Sequence, residues 1–272
     1  RGLVGSEMCI RDRLDVMGSI IYGAMMLSII LGISELSPTL ISAGLILMAI
    51  FIAWESRVRH PVLELQLFRR NIVFAFSSLA ALLNYAATYA VIYLLSLYLQ
   101  YVKGVGPQQA GVILVAQPVV QALLSPLAGW LSDRVEPRII ASAGMGVTAV
   151  SLIALSTISS STEVYDVVVK LVLLGLGLAL FVSPNTNAIM SSVENRLYGV
   201  ASATVALMRN VGQAISMAVV TLLFIMYFGG AIITPEVHSP FIDSIRAAFT
   251  LFSLLCIVGV FASLARGRVH AQ

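Results

Sequence analysis

The side chains of this sequence able to do chemistry inside its long uncharged stretches are few and polar. Ser77, Asn84 and Thr88 fall at i, i+7 and i+11, one face of a 3.6-residue helix. Gln117 and Gln121 lie one turn apart beside Pro118, with Ser125 and Pro126 a turn further on. Ser202, Arg209, Gln213 and Ser216 follow spacings of 7, 4 and 3, again a single helix face. Hydroxyls, carboxamides and one guanidinium placed this way hydrogen-bond a ligand or tie one helix to the next. They do not supply the paired acid and base or the activated nucleophile of a catalytic centre. His60, His238 and His270 are far apart, no H-E-x-x-H run occurs, and Cys9 and Cys256 lie at opposite ends. The reading is therefore a non-enzyme with no catalytic residues, no metal site, no cofactor and no disulfide framework.

The elements that carry these residues must lie in lipid. Hydrophobic residues make up 59% of the chain and charged ones 11%, with a mean hydropathy of +0.96, where a soluble domain carries about a quarter charged residues. A net charge of +3 is too small to suggest a nucleic acid partner. Eight charge-free runs of at least 19 residues occur, at 16–34, 36–54, 71–102, 104–132, 139–162, 171–193, 210–235 and 247–265. About 20 apolar residues cross a bilayer core as helix, and these runs lack the alternation of barrel strands. The spacing predicts an all-α integral membrane protein of about eight transmembrane helices. Breakers separate them at Ser37-Pro38, Gly104 to Pro107, Ser159 to Ser161, and Gly229-Gly230 with Pro235.

Lys and Arg in the short loops set the direction. With the first helix entering from the cytoplasm, inside segments hold eleven arginines (Arg11, Arg13, Arg57, Arg59, Arg69, Arg70, Arg134, Arg138, Arg196, Arg266 and Arg268), against Lys103, Lys170 and Arg246 outside. This predicts a multi-pass protein of the cell (inner) membrane with a cytoplasmic C-terminus. No Asp or Glu lies inside any run; Asp15, Glu55, Asp133, Glu194 and Asp243 sit at helix ends or in loops.

The loop Gly129-Trp130-Leu131-Ser132-Asp133-Arg134-Val135-Glu136-Pro137-Arg138 resembles the major facilitator superfamily motif G-x-L-[AS]-D-R-x-G-R-[KR], matching six of its eight specified positions. Glu136 and Pro137 depart from it. The resemblance makes Gly129, Asp133, Arg134 and Arg138 a gating loop. In it Gly129 allows close helix approach, Asp133 is expected at a helix N-terminus, and the arginines bridge to carboxylates of the other half.

Further stretches resemble one subgroup, the fourteen-helix drug/proton antiporters of EmrB/QacA type. They are Leu14-Asp15 with Gly18, Glu55 with Pro61-Val62-Leu63 and Leu67-Phe68-Arg69, Tyr98-Leu99-Gln100 with Gly104, Pro107 and Ala110-Gly111, Gly175, Gly177 and Pro184, Ala188 to Val193, and Gly199, Ala201, Ser202 and Arg209.

That resemblance implies a C-terminal portion of such a transporter. Residues 1–13, including Ser6 to Arg13, look like adapter-derived or linker sequence. Residues 14–56 would be the two inserted helices, 57–70 a cytoplasmic loop and 71–268 the C-terminal six-helix half. Its partners would be the bilayer, the missing N-terminal half, a small lipophilic substrate and protons. Asn84, Thr88, Gln117, Gln121, Arg209 and Gln213 are the substrate-cavity candidates, since transporter sites lie near the midplane. Each has a structural reading beside the functional one. The amides serve equally as helix-to-helix hydrogen bonds, and Arg209 as a residue snorkelling to the interface. Tyr85, Tyr89 and Tyr93 with Met208 and Met217 either line an apolar cavity or simply pack. Gly175-Leu176-Gly177 reads as close helix packing. Export of drugs, transport of another solute such as an organic anion or metabolite, and a polytopic membrane enzyme are the three function classes, the last without a supporting constellation.

Overall fold

The computed structural model describes residues 15–35, 37–58, 65–229 and 238–267, and every regular element among them is helical. α1 (Val16–Ser34) and α2 (Pro38–Glu55) form a hairpin. A short helix, α3 (Leu65–Arg70), precedes α4 (Ile72–Leu97), which continues as a π-helix over Tyr98–Val102. α5 (Pro107–Leu114) and α6 (Ala116–Ser132) are two pieces of one span, followed by α7 (Pro137–Leu155), α8 (Val164–Ser191), α9 (Tyr198–Phe228) and α10 (His238–Ala265). Seven stretches among the described residues are long and apolar enough to cross a membrane, and α1 adds a shorter apolar one, Met17–Gly32. The protein is an all-α membrane protein, as the charge-free runs predicted. Arg11, Arg13, Leu14, Arg59, Arg268, Cys9, His60, His270, Pro61-Val62-Leu63, Gly230 and Pro235 lie outside the described residues.

Charges mark the helix ends less sharply than they mark the runs. α8 begins at Val164 rather than 171, α9 at Tyr198 rather than 210, and α10 at His238 rather than 247. In α8 the reason is local: Lys170 Nζ lies 2.7 Å from Asp166 Oδ2 one turn earlier, so two opposite charges pair on the helix instead of ending it. The run 139–162 shortens, its helix ending at Leu155, and the 57–70 segment read as a loop contains α3. Ser37 starts α2 with Pro38 at its first position, and Gly229 closes α9 in the left-handed conformation at φ +65°. α5 and α6 are separated by a break at Val115, one turn before Pro118, whose missing N–H leaves the Leu114 carbonyl without its helical donor. Pro126 sits inside α6 without interrupting it.

α4, α7, α8 and α10 form the centre, and Phe181, Phe249, Phe252, Met145 and Leu94 are among its fully buried side chains. One side chain ties the hairpin of α1 and α2 at its open end: Asp15 Oδ1 accepts from the Gly18 N–H at 2.7 Å at the start of α1, while its Oδ2 accepts from Trp54 Nε1 of α2 at 3.0 Å. Lipid hides apolar side chains as well as a neighbouring helix does, so association depends on close backbone packing. At the crossing of α7 and α8 a side chain on Gly144 would meet backbone atoms of Leu180 and Phe181 at 2.6 Å, and one on Gly177 would meet Thr148 Oγ1 at 2.5 Å. Gly175 likewise lies against the Gln117 carbonyl. The close-packing reading of Gly175-Leu176-Gly177 is therefore correct.

Gly144→Ala is expected to destabilise the protein by about 1–3 kcal/mol, since the obstructing atoms are backbone and cannot swing aside. Gly146→Ala, on the same helix but with nothing within 4 Å of the added carbon, is expected to be neutral or slightly stabilising. Unfolding midpoints in mixed micelles test the contrast, and equal losses at the two positions would contradict it.

Candidate functional site

Two sets of polar contacts pin the central helices at their ends. At the end carrying the Gly129–Arg138 loop, Arg266 follows α10 and is fully buried. Its Nη1 donates to Asn185 Oδ1 on α8 at 2.8 Å and to Ser77 Oγ on α4 at 3.2 Å, while Asn185 Nδ2 donates to the Ser77 carbonyl at 3.0 Å. Desolvation lowers the Arg266 guanidinium to about 10, with the Glu136 carboxylate acting to raise it and Arg138 to lower it. It therefore stays a cation at neutral pH. Asn71 caps α4 by accepting from the Phe74 N–H at 2.9 Å and reaches the Ser192 carbonyl at the end of α8 with its Nδ2, at 2.6 Å. At the far end, three consecutive carbonyls after α7 each take a donor from another element. Ile158 accepts from Arg246 Nε at 2.6 Å, Ser159 from the Tyr98 hydroxyl at 2.6 Å, and Ser160 from Lys103 Nζ at 2.5 Å.

The sequence-predicted candidates are distributed around this frame rather than gathered in one place. Asn84 is fully buried in α4 with neither side-chain nitrogen nor oxygen hydrogen-bonded, and the Thr88 hydroxyl donates back to the Asn84 carbonyl at 2.8 Å. Gln117 donates from Nε2 to Gln121 Oε1 at 2.8 Å, an amide pair on α6 just past the Val115 break. On α9 the predicted single face divides. Ser216 is buried and accepts from the Ala90 backbone N–H at 3.1 Å, a contact permitted by Gly212, which lies against the Leu82 carbonyl and Ala86 nitrogen of α4. Arg209 is exposed, makes no ion pair among the described residues, and lies within electrostatic reach of the Tyr85 hydroxyl. Gln213 is half-buried and faces a cavity.

That cavity, about 570 Å³, opens between α1, α4 and α9. Tyr22 and Met26 of α1, Tyr89 of α4, and Asn210, Gln213 and Met217 of α9 supply most of its character. Tyr89 and Met217 were anticipated as cavity residues; Tyr85, Tyr93 and Met208 do not line it. The α1 wall had no sequence signal beyond a lone tyrosine and neighbouring methionines in an apolar run. Arg266 was legible only as a loop cation, and Asn185 followed Pro184 in a run read for its glycines.

In the Gly129–Arg138 loop, Gly129 lies 3.1 Å from Ser183 Oγ at the added-carbon position, consistent with close approach of α6 and α8. Asp133 does not occupy a helix N-terminus. It is the C-cap of α6, where the helix dipole disfavours an anion, and its Oδ1 accepts from Asn187 Nδ2 at 3.3 Å while the same nitrogen reaches Ser132 Oγ at 3.2 Å. Arg134 stacks over Trp130 with its guanidinium carbon 4.1 Å from the ring centroid. Arg138 is half-buried beside Arg266. Among the described residues no group of three or more His, Cys, Asp or Glu is placed to hold a metal ion.

The family model described as Major Facilitator Superfamily matches residues 77–271. Similar proteins include the riboflavin transporter RibZ of Clostridioides difficile, 25% identical over 253 residues that cover 90% of this chain and 54% of the relative. The methyl viologen resistance protein SmvA of Salmonella typhimurium is 27% identical over 197 residues, 71% of this chain and 39% of the relative. The multidrug resistance protein Stp of Mycobacterium tuberculosis is 30% identical over 171 residues, 63% of this chain and 32% of the relative. The matched part is thus about half of these relatives' length or less.

Asn185→Leu is expected to cost about 2–3 kcal/mol, because it strands a buried guanidinium without its shortest hydrogen bond. Adding Arg266→Met should recover part of that loss, since the charge that needed the partner is gone. A double variant as unstable as the sum of the two singles, by thermal unfolding in detergent, would show the pair to be energetically independent.

Proposed function

Since the chain belongs to the Major Facilitator Superfamily, we propose that it is the C-terminal portion of a secondary active transporter, with α1 and α2 as an inserted pair and α4 to α10 as one six-helix half. Uneven burial carries this reading. Only 17% of the most apolar window of the α5–α6 span and of the α9 span is buried within the chain, against 61% in α4 and 56% in α7 and α8. Yet those two open spans carry Gln121, Arg209, Asn210 and Gln213. α2 is as little buried and exposes Leu45, Ile46, Met48, Ile50, Ile52 and Trp54, as lipid contact requires, whereas the α5–α6 and α9 spans carry these polar groups among exposed apolar residues such as Leu123, Leu127 and Leu222. Amides and a guanidinium on open faces of membrane helices call for a polar partner. A second half-bundle packed there supplies it and is what alternating access rocks against.

The substrate reading is export of drugs or lipophilic compounds in exchange for protons. It is supported by the antiporter-like motifs and by relatives named for methyl viologen and multidrug resistance. The excess of arginines in these loops supports a cytoplasmic position for the Gly129–Arg138 loop and the C-terminal end of α10. Asp243 lies 3.5 Å from Arg246, and we assign the proton-carrying acid to the other half rather than to it. A second reading, transport of an organic anion or other metabolite, is favoured by the exposed Arg209, which makes no ion pair among the described residues, and by the riboflavin transporter among the relatives.

Inside-out vesicles carrying the parent transporter are expected to accumulate a lipophilic cation under an imposed proton gradient and to lose it when a protonophore collapses the gradient. Flux indifferent to the gradient would sink the antiport assignment. Loss of anion flux with cation flux spared in Arg209→Ala would establish the second reading instead. The 272-residue chain reconstituted alone is expected to show no substrate-dependent flux.

A further inference from the structure

The cavity between α1, α4 and α9 has a chemistry of its own. The Tyr22 hydroxyl is buried against the Asn210 amide, so its ring rather than its oxygen faces the space. The Asn210 and Gln213 amides sit on the α9 wall, so two amide donors face one region. The rest of the wall is thioether and aromatic surface from Met26, Met217 and Tyr89, which suits the flat face of a ring system. The volume of about 570 Å³ lies within the usual range of small-molecule sites.

Charge narrows the guest. Among the described residues no Asp, Glu, Lys, Arg or His lines the cavity. A cation entering it would lose hydration and find no counter-charge. A positive charge lies next to this wall: Arg209 precedes Asn210 on α9 and reaches Tyr85 electrostatically. We infer that this cavity binds an uncharged planar ring compound with a carbonyl edge, the edge accepting from the Asn210 and Gln213 amides and the ring lying against Met26, Met217 and Tyr89. α1, one of the two helices outside the six-helix unit, is thus a wall of a binding site. This goes beyond the transport proposal by naming a ligand class and a site that includes α1, and binding is read on this chain alone, so failure of either leaves the other standing.

N-Methylacridone and N-methylacridinium are matched probes. They share one flat tricyclic skeleton, the first neutral with a carbonyl and the second cationic without one. The purified chain in nanodiscs of uncharged phosphatidylcholine is expected to bind N-methylacridone saturably above empty nanodiscs, by fluorescence titration, and to bind the acridinium at least about tenfold more weakly. Gln213→Leu, which keeps similar bulk and removes the donor, is expected to weaken acridone binding by about 3- to 10-fold. Ala218→Trp, which fills the cavity from α9, is expected to abolish it, with the unfolding midpoint confirming that the variant folds. Partition that never saturates and matches empty nanodiscs overturns the inference. So does equal affinity for the two probes, or parent-like binding by both variants.

Discussion

Two helices in a membrane gain nothing by hiding apolar surface from each other when lipid would hide it as well, so this bundle depends on how closely its backbones approach. Gly144 and Gly177 bring α7 and α8 close enough for backbone atoms to touch. Gly212 does the same for α9 against α4, and the consequence is polar. Only at that separation can Ser216 Oγ accept from the Ala90 backbone N–H. Close approach and hydrogen bonding are therefore one device, because the missing side chain is what lets the hydroxyl one turn away reach the neighbouring backbone.

The ends of the bundle are fixed differently from its middle. At the far end the chain leaves α7 through three carbonyls that point toward other elements, and two of the three donors they receive are the cations Lys103 and Arg246. Positive charge just past a helix C-terminus is where the helix dipole favours it. At the opposite end one buried guanidinium joins α4, α8 and the tail of α10 through Ser77 and Asn185. Ser142 and Ser263 add a buried contact between α7 and α10 at 2.8 Å. α4 is held at both ends by charged donors and along its length by small residues, which explains why it is the most buried span. α5–α6 and α9 receive fewer such ties, and their polar side chains are left to other partners.

Helix number and class were legible in the sequence because lipid imposes them directly: an uncharged stretch of the right length has few alternatives. Boundaries were less legible, since Asp166 and Lys170 neutralise each other one turn apart and Arg209 sits eleven residues past the start of a helix whose exposed face tolerates it. The Asp133 expectation failed because a loop motif gives residue types without saying which of two flanking helices owns them. Asp133 ends α6, and its partner Asn187 comes from α8, far away in sequence. Arg266 shows the limit most clearly. A lone arginine after an apolar run is written the same way whether it reaches into a loop or folds back among three helices, and only the positions of Ser77 and Asn185 decide it. The α1–α9 cavity was illegible for a related reason, because it arises from the docking of a hairpin and not from any pattern within α1.

Apart from the 3₁₀ turn Asn195–Leu197 and the left-handed Gly229 and Gly267 at helix ends, the irregular backbone among the described residues gathers at one connection. The π-helix at Tyr98–Val102, the left-handed Gly104 and the break at Val115 all fall between α4 and α6. Unsatisfied backbone is tolerated at membrane depth only where protein or water covers it. The contacts of Tyr98 and Lys103 with the Ser159 and Ser160 carbonyls brace the π-turn on both sides. α5 is therefore a short piece between a braced turn and the Val115 break, and just past the break Gly175 lies against the Gln117 carbonyl, so α8 holds α6 there while Gln121 stays half-buried. The arrangement separates the part of this bundle that must keep its shape from the part whose polar face is free to meet something else.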